Sequence, residues 1–186
     1  SPEASRIAGT LSANGQIVIT NGAGVIFTPT AQLNVGGITA TTAGMSSAAQ
    51  AQFMSGAAPT FDIAAKPGSA VVNEGRITVA EGGYAAFVAP TVRNSGVIEA
   101  KLGKVTLAGA EKFTLDLYGD DLVKIAVPEA AASELRKVEN SGSIEGTTVA
   151  LTVDAVKGLV DGLINVSGTV QARRATMEGG KIVLRG

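Results

Sequence analysis

Cysteine, histidine and tryptophan are absent from this 186-residue chain, and aromatic residues make up only 4% of it. Without cysteine there are no disulfides, so the redox state of the compartment leaves no mark on the sequence. Without cysteine and histidine, the usual zinc, copper and haem ligand sets are missing too. No nucleophile, base and orienter set can be assembled around an imidazole, and nothing in the spacing nominates a lysine in its place. Charge of one sign is also lacking: 15 basic and 16 acidic residues leave a formal net charge of −1. Such a chain has no field to attract nucleic acid or an acidic membrane surface. No apolar run approaches the length of a membrane-spanning helix, and the start at Ser1-Pro-Glu-Ala-Ser-Arg6 has neither a charged nor an apolar leader segment. Cofactors, metals, nucleic acid and membrane insertion are therefore not expected.

What the chain does contain is small and β-branched. Glycine reaches 24 residues, and Ala, Val, Ile and Leu dominate an apolar fraction of 45%. A narrow stacked interior favours such side chains, because a large ring in one layer must be matched by space in the next. A signature recurs along the sequence: Asn73-Glu-Gly75-Arg-Ile77, Asn94-Ser-Gly96-Val-Ile98, Asn140-Ser-Gly142-Ser-Ile144, and the one-residue-longer Asn165-Val-Ser-Gly168-Thr-Val170. The steps between the asparagines are 21, 46 and 25 residues. The long step reads as two turns of a period of about 23 residues, one of them degenerate. Repeats of this length are single supersecondary units that cannot bury an apolar face alone and stack on their neighbours.

Within each copy, Asn or Gly is read as accepting a left-handed corner, and the following Ile or Val starts a short strand. The structural corner residues are accordingly Asn73, Gly75, Asn94, Gly96, Asn140, Gly142, Asn165 and Gly168, with the asparagines stacking as an internal hydrogen-bonded ladder. Further alternating runs fall at Gln16 to Thr20, Val25 to Thr28, Gly37 to Thr41, Ala86 to Ala89, Lys104 to Leu107, Phe113 to Leu117, Val123 to Val127 and Lys181 to Leu184. Two or three strands per period, without a Leu-x-x-Leu-x-Leu spacing, describe a parallel β-helix rather than a leucine-rich horseshoe.

The expected architecture is all-β: a right-handed parallel β-helix (β-solenoid) of roughly seven to nine coils rising about 4.8 Å each. It forms one domain or segment over residues 1–186, with Ile17, Ile19, Val25, Phe27, Leu33, Val35 and Ile38 facing inward in the first coils. Excursions interrupt the rhythm near 42–68, 129–137 and 153–163; the first opens on a helix capped by a serine near Ser46, and the others read as short helices. The end, Gly180-Lys-Ile-Val-Leu-Arg-Gly186, reads as a rung without a cap. Asp116, Asp120 and Asp121 read as a solvated turn, because the calcium-loop patterns are missing. Arg173 and Arg174 read as surface cations, and Tyr84 and Tyr118 as exposed rings too isolated to form a sugar platform.

Residues 5 to 45 resemble the secretion domain of filamentous haemagglutinin-like exoproteins (the two-partner secretion domain, or haemagglutination activity domain, family). The resemblance rests on Ser5-Arg-Ile-Ala-Gly9, Leu11-Ser-Ala-Asn-Gly15, Asn21-Gly-Ala-Gly-Val25-Ile-Phe27 and Gln32-Leu-Asn-Val-Gly-Gly37. It continues through Gly75-Arg-Ile77, Ala100-Lys-Leu-Gly-Lys-Val-Thr-Leu-Ala108 and Thr114-Leu-Asp-Leu-Tyr-Gly-Asp-Asp-Leu122. By this resemblance the chain lacks the family's usual N-terminal portion, and the family's Asn-Pro-Asn-Gly turn stands here as Asn21-Gly22-Ala23-Gly24. The resemblance implies a non-enzymatic bacterial exoprotein, secreted or surface-exposed, that acts in export across the outer membrane and in adhesion. Its implied partners are an outer-membrane two-partner transporter, with Asn21, Gly22 and Gly24 as the candidate recognition turn, and an unidentified host or cell-surface ligand. Two alternatives stand beside it. Open solenoid ends would stack end to end into an extracellular filament, and, more weakly, β-helices also serve as polysaccharide-processing enzymes.

Overall fold

Each signature begins with a polar corner followed by alternating apolar residues, and such a chain can bury its apolar face only by laying each coil on the last. The computed structural model describes residues 2–117, 122–125, 136–153 and 164–172 in full, and the backbone of 174–178 and 181–185. The first coil holds β1 (Ser5–Ile7) and β2 (Thr10–Thr20), and the second β3 (Val25–Phe27) and β4 (Gln32–Thr41). An excursion with helix α1 (Ser47–Met54) and β5 (Thr60–Phe61) follows. The third coil is β6 (Ala70–Asn73) with β7 (Arg76–Ala89), and the fourth β8 (Thr91–Asn94) with β9 (Val97–Gly109). A second excursion carries β10 (Phe113–Leu115) and β11 (Val123–Ile125). The fifth coil is β12 (Lys137–Asn140) with β13 (Ser143–Val153), and the sixth β14 (Ile164–Val166) with β15 (Thr169–Gln171). The chain then forms β16 (Arg174–Glu178) and β17 (Lys181–Arg185).

Two sheets run the length of the stack. One is all parallel, in the order β1-β3-β6-β8-β12-β14; the other contains β2, β4, β7, β9 and β13 in parallel, with β15 also on β13. The long strands of the second sheet shift register part-way along, between Val35 and Gly37, Thr78 and Tyr84, and Gly146 and Thr148. Each of the first five coils thus presents three pairing segments. The fold is all-β, parallel-stacked and β-helix-like.

The inward positions stack like on like. Leu11, Leu33, Ile77, Ile98, Ile144 and Val170 form one column through six coils. Val25, Phe27, Leu33, Val35 and Ile38 are fully buried, while Ile17 and Ile19 at the first coil pack against this core from one side only. Phe27 and Phe87 meet as offset rings, 5.7 Å between centroids. A second core lies outside the coils, where Phe61, Phe113, Leu115, Leu122 and Val123 cover Tyr84, Ala86, Val88 and Ala108. Phe61 and Phe113 stack there at 4.5 Å. Arg136, only 3% exposed, pairs with Glu111 at 3.1 Å and ties the second excursion to the start of the fifth coil.

Several expectations are corrected. The 46-residue step between Asn94 and Asn140 is one coil plus an excursion: β8 pairs directly with β12, placing Asn94 beside Asn140. The runs at Phe113 and Val123 are consequently not rungs. They form an antiparallel sheet with β5 outside the stack, because their aromatic and aliphatic residues cover the outer face of β7 and β9. Among the described residues, six strands therefore stack in the all-parallel sheet, against the seven to nine coils expected. The terminal run is an antiparallel hairpin and not a parallel rung: β17 pairs with both β16 and β13 in the antiparallel sense. Tyr84 is buried, not exposed, and burial pushes its phenol above the ordinary range. The expected helix over 129–137 lies outside the described residues except for its end, where Lys137 opens β12. The expected helix at 153–163 likewise falls outside them beyond Val153, as do Tyr118, Asp120, Asp121 and Arg173. Asp116 pairs with Lys124 at 2.6 Å.

The first excursion does carry a helix. Ser46 caps it, its hydroxyl accepting from the Ala49 amide at 3.1 Å. Asp62 in turn accepts from both the Ser46 amide, at 2.7 Å, and the Ser46 hydroxyl, at 2.6 Å. These bonds hold the Asp62 carboxyl below its ordinary value of 3.8. A depressed carboxylate stabilises the fold above its unfolded pKa and loses that contribution as pH falls through its folded pKa. An NMR titration should show Asp62 titrating below its ordinary value of 3.8, with the Ala49 amide shift following the same curve. Asp62→Asn should abolish that coupling.

Candidate functional site

The two groups of residues singled out by sequence are the Asn21 turn and the repeated corners, and they occupy different places. Asn21 follows β2 and is 8% exposed. Its side-chain amide donates to the Glu3 carbonyl and to the Ser5 hydroxyl, both at 2.9 Å. Its side-chain oxygen accepts from the Ala23 amide at 3.0 Å, and its backbone carbonyl from Gly24 at 2.9 Å. Gly24 closes the turn at φ +133°, a conformation that an L side chain rarely adopts, and a Cβ there would also press on Ala4 and the Ala70 carbonyl at 3.2 Å. The turn therefore clamps the segment before β1 onto the second coil. In the folded chain each polar atom of the Asn21 side chain already has a partner.

The corners are built on one register column of the all-parallel sheet: Ile7, Phe27, Asn73, Asn94, Asn140 and Val166. Within it, the Asn73 amide donates to the Asn94 oxygen at 2.8 Å and the Asn94 amide to the Asn140 oxygen at 2.7 Å. All three asparagines are at most 1% exposed, so this ladder satisfies polar atoms that water cannot reach. Asn165 is not part of it. It pairs with Glu139 at an exposed position, and Val166 sits beside Asn140 instead. The extra residue in the last signature forces a choice between aligning the asparagine and aligning the glycine, and the glycine wins.

The reason lies in the second column, Gly75, Gly96, Gly142 and Gly168. The residue after each glycine donates to the carbonyl of the glycine one coil earlier: Val97 to Gly75, Ser143 to Gly96 and Thr169 to Gly142, each at 2.9 Å. This draws the backbones so close that a Cβ on Gly96, Gly142 or Gly168 would lie 2.1 Å from that same carbonyl oxygen. The sequence-based reason for these glycines is therefore corrected. Among the described residues, positive φ occurs at Gly9, Gly24, Gly56, Gly68 and Gly82 and, outside glycine, at Leu102, not at the signature corners. Close backbone approach, not left-handed conformation, demands glycine here. A misaligned Gly168 would put Ser167 or Thr169 against the Gly142 carbonyl, a steric conflict that outweighs one side-chain hydrogen bond.

Val166→Asn tests this account. It restores an acceptor beside the Asn140 amide without changing register, and Val166 is 42% exposed, so little burial is lost. Urea unfolding should show a gain of about 0.5–1.5 kcal/mol; a loss would mean that the ladder cannot extend into the sixth coil.

Sequence reasoning missed a parallel glycine column at the second corner. A Cβ on Gly83 would lie 2.1 Å from the Gly36 carbonyl, and one on Gly103 2.3 Å from that of Gly83. The signal is faint, because the corner of β7 contains extra residues and the spacing is irregular. Also unforeseen is Leu102, with φ 56° and 66% exposure. It overhangs an open groove of about 750 Å³ lined by Glu81, Lys101, Glu145 and Gln171. Among the described residues, no group of three or more acidic side chains is placed to hold a metal ion, and no helix is long and apolar enough to cross a membrane.

The whole chain, residues 1–186, matches the sequence model of the TPS secretion domain family. The chain belongs to that family. It is 30% identical over 186 residues to the heme/hemopexin-binding protein of Haemophilus influenzae, an alignment that covers 97% of this chain and 20% of that protein. The chain thus spans about a fifth of the length of that curated relative. Membership of the TPS secretion domain family, together with this relative, supports a two-partner-secreted exoprotein exported across the outer membrane.

Proposed function

We propose that this secretion domain carries its export signal in the Asn21-Gly22-Ala23-Gly24 turn, which the transporter reads on the unfolded chain, and that folding afterwards consumes the signal. The observation that supports this reading is the complete internal bonding of the Asn21 side chain. A buried amide with three partners has nothing to offer a second protein unless those bonds break first. The chain crosses unfolded, then winds into a right-handed β-helix. Its stacked Asn and Gly corners then form a template on which further coils add, and the stacking free energy helps to draw the chain outward. The role is non-enzymatic. Adhesion, or capture of a cell-surface ligand, belongs to a longer exoprotein displayed at the bacterial surface. The relative's name concerns haem and hemopexin, and this chain aligns with 20% of that protein.

The test compares transporter binding by the urea-unfolded and the folded chain, each as wild type and Asn21→Ala. The unfolded wild type should bind at least about tenfold more tightly than the folded form, and Asn21→Ala should lose that advantage. Equal binding by both forms would sink the reading. So would an Asn21→Ala chain that binds normally when unfolded and suffers only in folded stability.

A second reading, end-to-end assembly into a filament, is supported by the first coil: among the described residues β1 pairs with β3 alone and β2 with β4 alone, and Ile7, Leu11, Ile17 and Ile19 are only partly buried. Sedimentation at several concentrations separates the two, since open ends associate and a closed domain stays monomeric.

A further inference from the structure

The sixth coil departs from the others at its third segment. Val170 pairs with Ile144 and Gln171 with Glu145 in parallel. Counting on from there as the fifth coil does would bring Arg174 beside Thr148, Ala175 beside Val149, Thr176 beside Ala150 and Met177 beside Leu151. Strand β16 therefore begins where a parallel strand on β13 should begin. Instead, β17 has come between them. It pairs antiparallel with β13, with Thr148 opposite Arg185, Val149 opposite Leu184, Ala150 opposite Val183 and Leu151 opposite Ile182. β16 is left on the outside, paired with β17 alone.

A strand edge offers one row of N–H and C=O groups, so β17 and β16 cannot both pair with β13 at these residues. The two arrangements compete for the same four positions of β13 and make similar numbers of ladder bonds, so a small bias decides between them.

We infer that the β16–β17 hairpin is a provisional cap: it occupies the β13 edge until a further coil docks, whereupon β17 leaves and β16 takes the parallel place. This rests on the reading that coils add at this end of the stack. It explains why β16 starts where a parallel strand on β13 would start and yet lies one strand away from it.

The absence of cysteine makes the test clean. Ala150→Cys with Val183→Cys reports the hairpin, and Ala150→Cys with Thr176→Cys reports the parallel arrangement, because register partners lie within disulfide reach. In the 186-residue chain the first pair should cross-link and the second should not. Two changes should reverse this for the second pair, raising its cross-linking rate at least tenfold. One is Ile182→Pro/Val183→Pro, which removes an N–H from each edge of β17. The other is extension after Gly186 with a second copy of residues 70–109, two uninterrupted coils. Amide exchange at Val105 and Leu107 shows whether the inner coils remain folded in the proline variant; if they do not, the extended chain decides. Persistence of the 150–183 cross-link in the extended chain would make the hairpin a permanent cap and overturn the inference. So would ready 150–176 cross-linking in the unextended chain. Neither readout involves the transporter, so the export reading stands or falls separately.

Discussion

Gly96→Ala is expected to destabilise the chain by more than about 4 kcal/mol, although it adds a single methyl group to a residue with ordinary backbone angles. The added carbon would lie 2.1 Å from the Gly75 carbonyl oxygen and 2.8 Å from the Gly75 nitrogen. Normal contact requires more than an ångström of separation beyond that, and the obstacle is backbone, which cannot rotate aside as a side chain can. The same Gly75 oxygen accepts the Val97 amide, so parting the coils breaks the bond that aligns them. Gly96 is also itself the acceptor for Ser143 of the next coil, so the displacement propagates in that direction. Thermal unfolding should fall by about 10 °C or more for a domain of this size. Gly15→Ala, where a Cβ would meet nothing within 4 Å, is the matched control and should change little. A loss for Gly96→Ala no larger than for the control would sink the account of the glycine column.

Asn94→Ala is expected to cost about 3 kcal/mol, through two buried groups that it strands rather than through the side chain it removes. Asn73 loses the acceptor of its amide, and Asn140 loses the donor to its oxygen. With the ladder buried, water cannot take their places. A double-mutant cycle separates this from simple loss of packing. Once Asn94 is gone, Asn140 has already lost its partner, so Asn140→Ala should cost at least about 1 kcal/mol less in the Asn94→Ala background than alone. Additivity of the two within measurement error would mean that the asparagines act independently and that the ladder does not couple the coils.

These two columns also show how much could be read in advance. The Asn-x-Gly recurrence and the alternating apolar residues after it are local patterns, and a one-dimensional stack repeats them at nearly fixed spacing. They were legible for that reason, and with them the parallel, all-β architecture and the inward places of Val25, Phe27, Leu33, Val35 and Ile38. The glycine chemistry was not, because a Cβ clash with the neighbouring coil involves residues some 21 to 46 positions away. The Asn165 offset was illegible for the same reason. Spacing within one copy cannot say which of two columns gives way when they conflict.

The Asn21 turn followed a different course. Resemblance marked it as a signal, while the structure places its amide against Glu3 and Ser5. Nothing in residues 21 to 24 specifies those partners, which depend on the path of the chain before β1. The antiparallel excursion sheet was hidden likewise. Phe113-Thr-Leu115 alternates as any rung does, and only the uncovered outer face of β7 and β9, a product of stacking, decides that it packs outside.

The amino-acid sequence by itself determined the composition that suits a narrow core, the repeating corner, and the absence of imidazole and thiol chemistry. All of these are properties of single residues or short windows. Tertiary structure alone decided which coils are neighbours, that glycine alignment outranks asparagine alignment at Val166, and that β17 rather than β16 takes the β13 edge. Each of these is a competition between distant segments for one place, settled by backbone sterics and by edge groups that can pair only once.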